Sequence, residues 1–183
     1  MAARAKSFEI DPAIRLEMAR LQKCGLSLIP LGAGRDGKAP LRPVDAAQRL
    51  TMRQILGPMY ARQSSAYGVR LDGLVVLDAD DPAYLNAIES RYGPAAVVVR
   101  TPRGFHAYYR AGEIALLGPR GEGWPVDVKA GANAYVLGPQ SVRPDGGQYM
   151  PYRGSLGEAK LTTPRVGTAP ANRVLSPGQV QVG

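Results

Sequence analysis

The chain contains almost no cysteine and no long apolar run, and each shortage excludes a class of protein. Cys24 is the only cysteine, which excludes an internal disulfide and predicts a reducing, cytoplasmic location. Because Cys24 follows an apolar-periodic segment, we expect its side chain to be buried in packing. No apolar stretch approaches the ~20 residues that span a bilayer, and the amino terminus lacks the hydrophobic segment of a secretion signal.

Charge is unevenly distributed along the 183 residues, a length that suits one domain with a sizeable core. The chain has 23 Lys and Arg against 15 Asp and Glu, which gives a net charge of +8. The net charge is +7 over residues 1–70 and +3 over residues 123–183, whereas it is −2 over residues 71–122. This distribution favours a partner rich in phosphate, such as nucleic acid; a basic protein without such a partner is the alternative.

Two aspartates follow a hydrophobic run at the end of a predicted strand. Asp78 and Asp80 come directly after residues 73–77. Residues i and i+2 of a strand face the same way, so the two carboxylates are predicted to project together, roughly 7 Å apart. Like charges at this spacing repel each other, and Mg²⁺ or Mn²⁺ would remove the repulsion. The alternative is that the strand ends and Asp81 caps a helix that begins at Pro82, which leaves the other two acids unexplained.

Two further polar residues lie in later segments that are typical of short strands. His106 is the only histidine, and Asp127 lies within the apolar segment 124–129, where an unpaired carboxylate is costly to bury. Taken singly, such a histidine is more typical of a hydrogen-bonded or surface residue, and a turn or an arginine would satisfy the aspartate. Together with Asp78 and Asp80, they predict a metal-dependent site for phosphate chemistry on one face of a sheet.

A glycine-rich segment before Lys38 overlaps two phosphate-binding motifs. Residues 32–37 fit G-x-G-x-x-G, and the stretch through Lys38 nearly fits the P-loop. Both motifs require a helix to begin at once, but Pro40 and Pro43 drive the residues before them away from helical backbone. We therefore expect a flexible, basic loop that brings Lys38 toward nucleotide or template.

Taken in order, these segments resemble the bifunctional DNA primase/polymerase (prim-pol) domain of the archaeo-eukaryotic primase superfamily, which is found largely on plasmids and phages. The resemblance covers roughly residues 15–153. The matching blocks, in the family's order, are 25–31, 37–40, 67–70, 74–80, 100–109, 126–131, 135–141 and 145–149. One departure is that Arg103 and Gly104 stand where members often have two glycines before the histidine.

The resemblance implies a role for each of the polar residues described above. Asp78, Asp80 and Asp127 match the three metal-binding acids, and His106 matches the histidine that contacts the phosphates of the incoming nucleotide. The implied enzyme is a template-directed nucleotidyltransferase, a DNA primase, a DNA polymerase or both, in replication of a mobile element. Its implied partners are single-stranded DNA template, primer, (d)NTPs and a replicative helicase in trans. The alternative is an inactive DNA- or nucleotide-binding replication module, which would not need clustered acids.

Nucleotide addition needs cations to handle both the primer and the triphosphate. Two Mg²⁺ or Mn²⁺ ions bridged by carboxylates lower the pKa of a 3′-hydroxyl and bind the triphosphate. Further cationic and hydroxyl donors are expected around the anionic phosphates. The candidates for nucleotide binding are His106, Arg103, Lys129, Ser141, Arg143 and Lys38. For Lys129 a solvated strand lysine is an equal alternative, and Arg103 either contacts phosphate or alters nucleotide choice.

Hydrophobic periodicity and turn residues predict an α+β fold in which the later part is mostly antiparallel strands. Helices are predicted over residues 12–23 and 82–92, and from Thr51 through Ile55 with a candidate break at Gly57. Strands are predicted over residues 27–31, 66–70, 74–77, 97–100, 106–110, 126–129 and 135–137. The resemblance implies the same architecture, an N-terminal α/β unit joined to an RRM-like, largely antiparallel catalytic sheet.

The chain changes character near Ser155, where Pro and Gly interrupt any hydrophobic periodicity. We predict a catalytic domain over residues 1–154 and a flexible tail over residues 155–183. In larger relatives such a tail leads to a helicase or another replication module. Whether this chain is a stand-alone unit or a fragment stays open.

Overall fold

The computed structural model describes residues 8–43, 45, 47–112 and 123–165. Within these residues it has three helices and one seven-stranded sheet. The helices are α1 (Pro12–Lys23), α2 (Met52–Ala61) and α3 (Tyr84–Tyr92). The strands are β1 (Leu28–Ala33), β2 (Ala39–Pro40), β3 (Tyr67–Ala79), β4 (Val97–Arg100), β5 (Phe105–Arg110), β6 (Val126–Leu137) and β7 (Met150–Arg153).

Strand β3 is the axis of the sheet because three other strands pair with it. β1 pairs with its first residues and β5 with its last residues, and β6 runs along the opposite edge. β4 and β7 extend the sheet beyond β5, and β2 extends it beyond β1. All of these pairings are antiparallel. The predicted α+β fold with a largely antiparallel sheet is therefore confirmed.

Two apolar clusters cover opposite faces of the sheet. The first contains side chains of α1 and α2 together with Val76 of β3. The second contains side chains of α3 together with Val75 and Leu77 of β3. Because successive strand residues face opposite sides, Asp78 lies on the face that α1 and α2 cover.

Local sequence sets where the helices begin. Asp11 caps α1 by accepting a hydrogen bond from the backbone of Ala13 at 2.8 Å, and Thr51 forms a capping box at the start of α2. α2 continues through Pro58, so the candidate break does not occur. α3 begins at Tyr84, two residues later than predicted, because the carboxylate of Asp81 caps a turn before the helix.

Two strands are longer than predicted, and two short strands were not predicted. β3 joins two predicted strands across the exposed residues Asp72 and Gly73, where its register with β6 shifts. β6 joins two predicted strands across Gly131. The short strands β2 and β7 contain Pro40 and Pro151 and lie at the ends of the sheet, where proline is tolerated but hides the strand from pattern analysis.

The segment after Ser155 packs on the body as far as it is described. Leu156 is buried, and the backbone of Arg165 donates a hydrogen bond to the carbonyl of Tyr92 at 2.8 Å. Packing therefore continues past the predicted boundary at residue 154, while residues 166–183 of the predicted tail lie outside the described residues. Among the described helices, none is long and apolar enough to cross a membrane.

The prediction that Cys24 is buried was wrong, because its thiol is exposed. Helix α1 buries Ile14, Met18 and Leu21, but it ends at Lys23. Cys24 is the residue that caps its carboxyl end, so the apolar stripe of the helix does not reach it.

Candidate active site

The strand register brings three of the predicted site residues into one row. Asp78 pairs directly with His106 of β5 on one side and with Asp127 of β6 on the other. Residues directly opposite each other in antiparallel strands have side chains on the same face, with Cβ atoms about 4.5–5.5 Å apart. The three side chains therefore lie together at the end of the sheet where β3 ends and β5 and β6 begin.

Asp80 lies beside this row and is paired with Arg103. Its backbone N–H donates to the carbonyl of Pro125 at 3.1 Å, which keeps it next to the start of β6. Its carboxylate accepts a hydrogen bond from Nη2 of Arg103 at 2.9 Å. The side chains are 42% and 68% exposed, so solvent screens this pair. The loop between β4 and β5 thus brings Arg103 to the acidic residues.

Gly104 allows the same loop to pass against the end of β3. A Cβ at this position would overlap the carbonyl group of Ala79, the residue between Asp78 and Asp80. Of the two glycines expected before the histidine, this chain retains only Gly104, which lies against the backbone of Ala79. The other position holds Arg103, which is exposed and has room for a long side chain.

His106 is a buried, neutral imidazole. Burial, as the largest cause, and the positive charges of Lys38 and Lys129 together lower its pKa to about 3. Its Nε2 lies 3.5 Å from Oδ1 of Asp78. A neutral imidazole has a single N–H, and Nε2 is the nitrogen that faces an acceptor. Nδ1 is buried and has no hydrogen-bond partner among the described residues.

Asp78 is a carboxylate whose charged form is disfavoured. Burial raises its pKa above the usual value, Lys129 opposes this shift, and the negative charges of Asp80 and Asp127 add to it. The side chain is 25% exposed, so it remains open to a ligand. A bound cation would relieve the repulsion among the three acids.

Lys129 neutralises Asp127 on the same strand face. Its Nζ lies 3.1 Å from Oδ2 of Asp127, two residues earlier in β6. Both side chains are about one-third exposed. The i, i+2 spacing predicted that they share a face, and the structure places this ammonium group within electrostatic reach of Asp78 and His106.

Lys38 approaches the site from the loop between β1 and β2. Its charge acts on both Asp78 and His106. The carbonyl of Lys38 accepts a hydrogen bond from the Tyr135 hydroxyl at 3.1 Å. The next element is β2 rather than a helix, as expected from Pro40, so the loop has neither of the two phosphate-motif geometries.

Ser141 and Arg143 lie behind His106. The buried Ser141 hydroxyl bonds with the backbone N–H and carbonyl of Tyr67, both at 3.3 Å, so the structure does not bring it to the acids. The positive charge of Arg143 lies near Tyr149 and lowers the pKa of its hydroxyl, against the larger effect of burial; the Tyr149 ring lies 5.5 Å from that of His106. The assignment of Ser141 as a nucleotide contact stays a prediction.

The donor set fits a hard divalent cation, although the carboxylates are not gathered around one point. In the part of the chain that the structure describes, no group of three or more His, Cys, Asp or Glu is arranged to hold a metal ion. The reason is that Asp80 is turned toward Arg103 and Asp127 toward Lys129. Both side-chain cations stand where metal charge would act, and carboxylate oxygens are the ligands that Mg²⁺ and Mn²⁺ prefer.

Asp145 and Tyr149 support this site; both lie in the matching block 145–149, but neither was assigned a role from the sequence. Tyr149 lies between Arg143 and His106. Asp145 accepts hydrogen bonds from Arg143 and from the backbone of Gly147. The Asp-Gly-Gly sequence that begins at Asp145 is a turn signal. The sequence therefore indicates a turn here, but it does not indicate which residues the turn contacts.

An antiparallel sheet that ends in three acids and an imidazole has the layout of a nucleotide-handling domain. The chain belongs to the family of bifunctional DNA primase/polymerase N-terminal domains, which matches it over residues 18–171. The resemblance drawn from the sequence is thereby confirmed, and the family implies a nucleotidyltransferase-type enzyme with DNA and nucleotide substrates. The comparison with curated proteins finds no match.

Proposed function

We propose that this chain is a metal-dependent, template-directed nucleotidyltransferase that extends primers on single-stranded DNA, makes them, or both. The observation that carries the proposal is the direct pairing of Asp78 with both His106 and Asp127 at one end of the sheet. Family membership supports the reaction class.

The three acids are proposed to hold Mg²⁺ or Mn²⁺ in a two-metal site. When bound, such ions lower the pKa of the primer 3′-hydroxyl and offset the charge of the triphosphate. Asp78 is the shared member of the set because Asp80 and Asp127 both act on its pKa. Asp80 and Asp127 have partly exposed side chains, so a metal ion can approach both carboxylates from solvent.

Arg103 and Lys129 are proposed to exchange carboxylate for phosphate when the site is loaded. Each is now hydrogen-bonded to one of the acids, at 2.9 and 3.1 Å. As Asp80 and Asp127 turn to metal, the guanidinium and ammonium groups become available to the triphosphate oxygens, which are strong acceptors. The two side chains thus keep their positive charge at the site both before and after metal and nucleotide bind.

Once Asp78 binds metal, His106 is proposed to donate the Nε2–H that now faces Asp78 to a phosphate oxygen of the incoming nucleotide. Its burial holds the ring in place and keeps it neutral at physiological pH. Lys38 adds positive charge from the neighbouring loop. A setting in plasmid or phage replication, with a helicase in trans, follows from the resemblance and belongs to the same proposal.

Primer extension on a single-stranded template, with dNTPs and Mg²⁺ or Mn²⁺, tests the proposal. The wild type should extend the primer, and Asp78→Ala should not, while its fold and DNA binding are unchanged. Asp72→Ala is the matched control, because Asp72 is an exposed β3 carboxylate with no hydrogen bond or ion pair to the described residues. Extension by Asp78→Ala at the wild-type rate would remove the metal assignment.

The same assay separates the finer alternatives. Omission of the primer distinguishes priming from extension, and replacement of dNTPs by NTPs gives the sugar preference. A wild type that binds DNA but extends nothing with either metal would favour the inactive binding module.

A further inference from the structure

The turn over residues 143–147 is held together by one carboxylate. Oδ1 of Asp145 accepts a hydrogen bond from the backbone of Gly147 at 3.0 Å, and Oδ2 accepts one from the Arg143 guanidinium. Two backbone hydrogen bonds close the turn, from Arg143 to the carbonyl of Gly147 and from Gly146 to the carbonyl of Arg143, both at 2.9 Å. Asp145 therefore ties the Arg143 side chain to the backbone of the turn.

The turn also contacts both loops that flank the candidate active site. Pro144 packs against Gly37 in the β1–β2 loop: a Cβ added at Gly37 would lie 2.8 Å from Cγ of Pro144. Gly147 packs against Pro102 in the β4–β5 loop: a Cβ added at Gly147 would lie 2.8 Å from Cγ of Pro102. These two loops carry Lys38 and Arg103, which add positive charge to the acids beside that of Lys129, so the turn fixes one loop relative to the other.

Arg143 links the turn to the active-site imidazole. Its guanidinium lies close enough to the hydroxyl of Tyr149 to lower the pKa of that group against the effect of burial, and the ring of Tyr149 lies 5.5 Å from that of His106. The Arg143 side chain is only 16% exposed, and its Nε is buried without a partner among the described residues. An incompletely paired buried guanidinium is costly, so the position of Arg143 depends strongly on Asp145.

We propose that Asp145 is a positioning residue for the nucleotide triphosphate. It holds Arg143 against Tyr149 and keeps the turn seated between the two basic loops, so that Lys38, Arg103 and the imidazole keep their spacing. It need not contact the nucleotide itself. The inference rests on the proposed function, because it concerns how the same site binds its nucleotide.

Asp145→Asn separates the two contacts of the carboxylate. The amide oxygen can still accept from the backbone of Gly147, but the charge that pairs with Arg143 is lost. We expect the KM for dNTP to rise about tenfold, the scale found for residues that orient a site without entering it, and the thermal midpoint to fall modestly, because the buried Arg143 guanidinium loses its charged partner. The kcat should stay within about twofold, as for loss of uniform binding. Asp72→Asn is the matched control and should behave as wild type.

A double variant tests whether Asp145 acts through Arg143. If it does, Asp145→Asn combined with Arg143→Gln should have the KM of Arg143→Gln alone, because the two residues act as a unit. Effects that multiply would overturn the inference, since they would show two independent contributions.

Equilibrium binding of a fluorescent dNTP in the presence of Mn²⁺ gives a readout that needs no turnover. Asp145→Asn should weaken binding by about tenfold. A wild type that binds dNTP but extends no primer would defeat the proposed function and leave this comparison to decide the inference. Equal affinities for wild type, Asp145→Asn and Asp72→Asn would overturn it, as would a wild type that binds no dNTP.

Discussion

Asp78 and Asp127 lie directly opposite each other in the antiparallel pairing of β3 with β6. Like charges in this position destabilise a sheet, and Asp78 is also largely buried. Folding alone gives no reason for the arrangement, whereas a cation shared by the two carboxylates does. The sheet end is thus a place where stability and function oppose each other.

Replacement of Asp78 by Asn should stabilise the fold while removing activity. The raised pKa of Asp78 shows that burial and the neighbouring acids disfavour its charge, and the amide has nearly the same shape without that charge. Thermal unfolding in EDTA should show a higher midpoint than wild type, and primer extension should fall by at least about 10²-fold. A lower midpoint than that of Asp72→Asn would contradict the repulsion.

Arg103→Gln should strengthen metal binding and weaken nucleotide binding. Arg103 competes with metal for Asp80, and an exposed pair contributes up to about 1 kcal/mol, so Mn²⁺ affinity should rise by no more than about fivefold. The KM for dNTP should rise because a phosphate donor is lost. Electron paramagnetic resonance of free Mn²⁺ measures the first effect. A fall in Mn²⁺ affinity would show that Arg103 does not compete with the ion.

Gly104→Ala should destabilise the protein more than Gly57→Ala. A Cβ at Gly104 would overlap the backbone of Ala79, and overpacking of this kind costs about 1–3 kcal/mol. A Cβ at Gly57, inside α2, meets no atom within 4 Å apart from its chain neighbours and its own helix backbone. The gain in helix propensity is offset by crowding against the ring of Pro58, so that change should alter the free energy of unfolding by less than about 1 kcal/mol. Urea unfolding measures both. Equal midpoints for the two variants would mean that the β4–β5 loop is not seated against β3.

Trp124→Leu should loosen the start of β6. The indole packs against Tyr84, with ring centroids 5.9 Å apart, and Arg91 lies over it at 5.4 Å. The neighbouring Pro125 accepts the backbone hydrogen bond from Asp80. The loss of these aromatic and cation–π contacts should cost about 1–2 kcal/mol and lower kcat. Trp124→Phe, which keeps a ring, should recover most of the lost stability and kcat. Wild-type stability and kcat in Trp124→Leu would contradict this role.

Residues that follow the strand period were predictable from the sequence, and long-range contacts were not. The i, i+2 rule placed Lys129 beside Asp127, and hydrophobic patterning located α1 within its observed bounds. The pairing of Arg103 with Asp80 joins residues 23 apart and depends on how the β4–β5 loop folds over β3. No local pattern encodes that contact.

The errors in the strands have a common physical cause. Asp72 and Gly73 indicated a turn, but β6 continues to pair across them with a shifted register, so tertiary pairing overrides the local signal. Pro40 and Pro151 concealed two edge strands that lack ladder partners on one side.

Primer extension by Asp127→Asn tests the central claim most directly, because Asp127 is the acid that only the fold brings to Asp78. The assay uses a labelled primer on single-stranded template at saturating dNTP with Mg²⁺ or Mn²⁺, beside wild type and Asp72→Asn. We predict that Asp127→Asn loses extension by at least about 10²-fold and keeps its affinity for DNA. Extension at the wild-type rate would contradict a metal site built from these carboxylates.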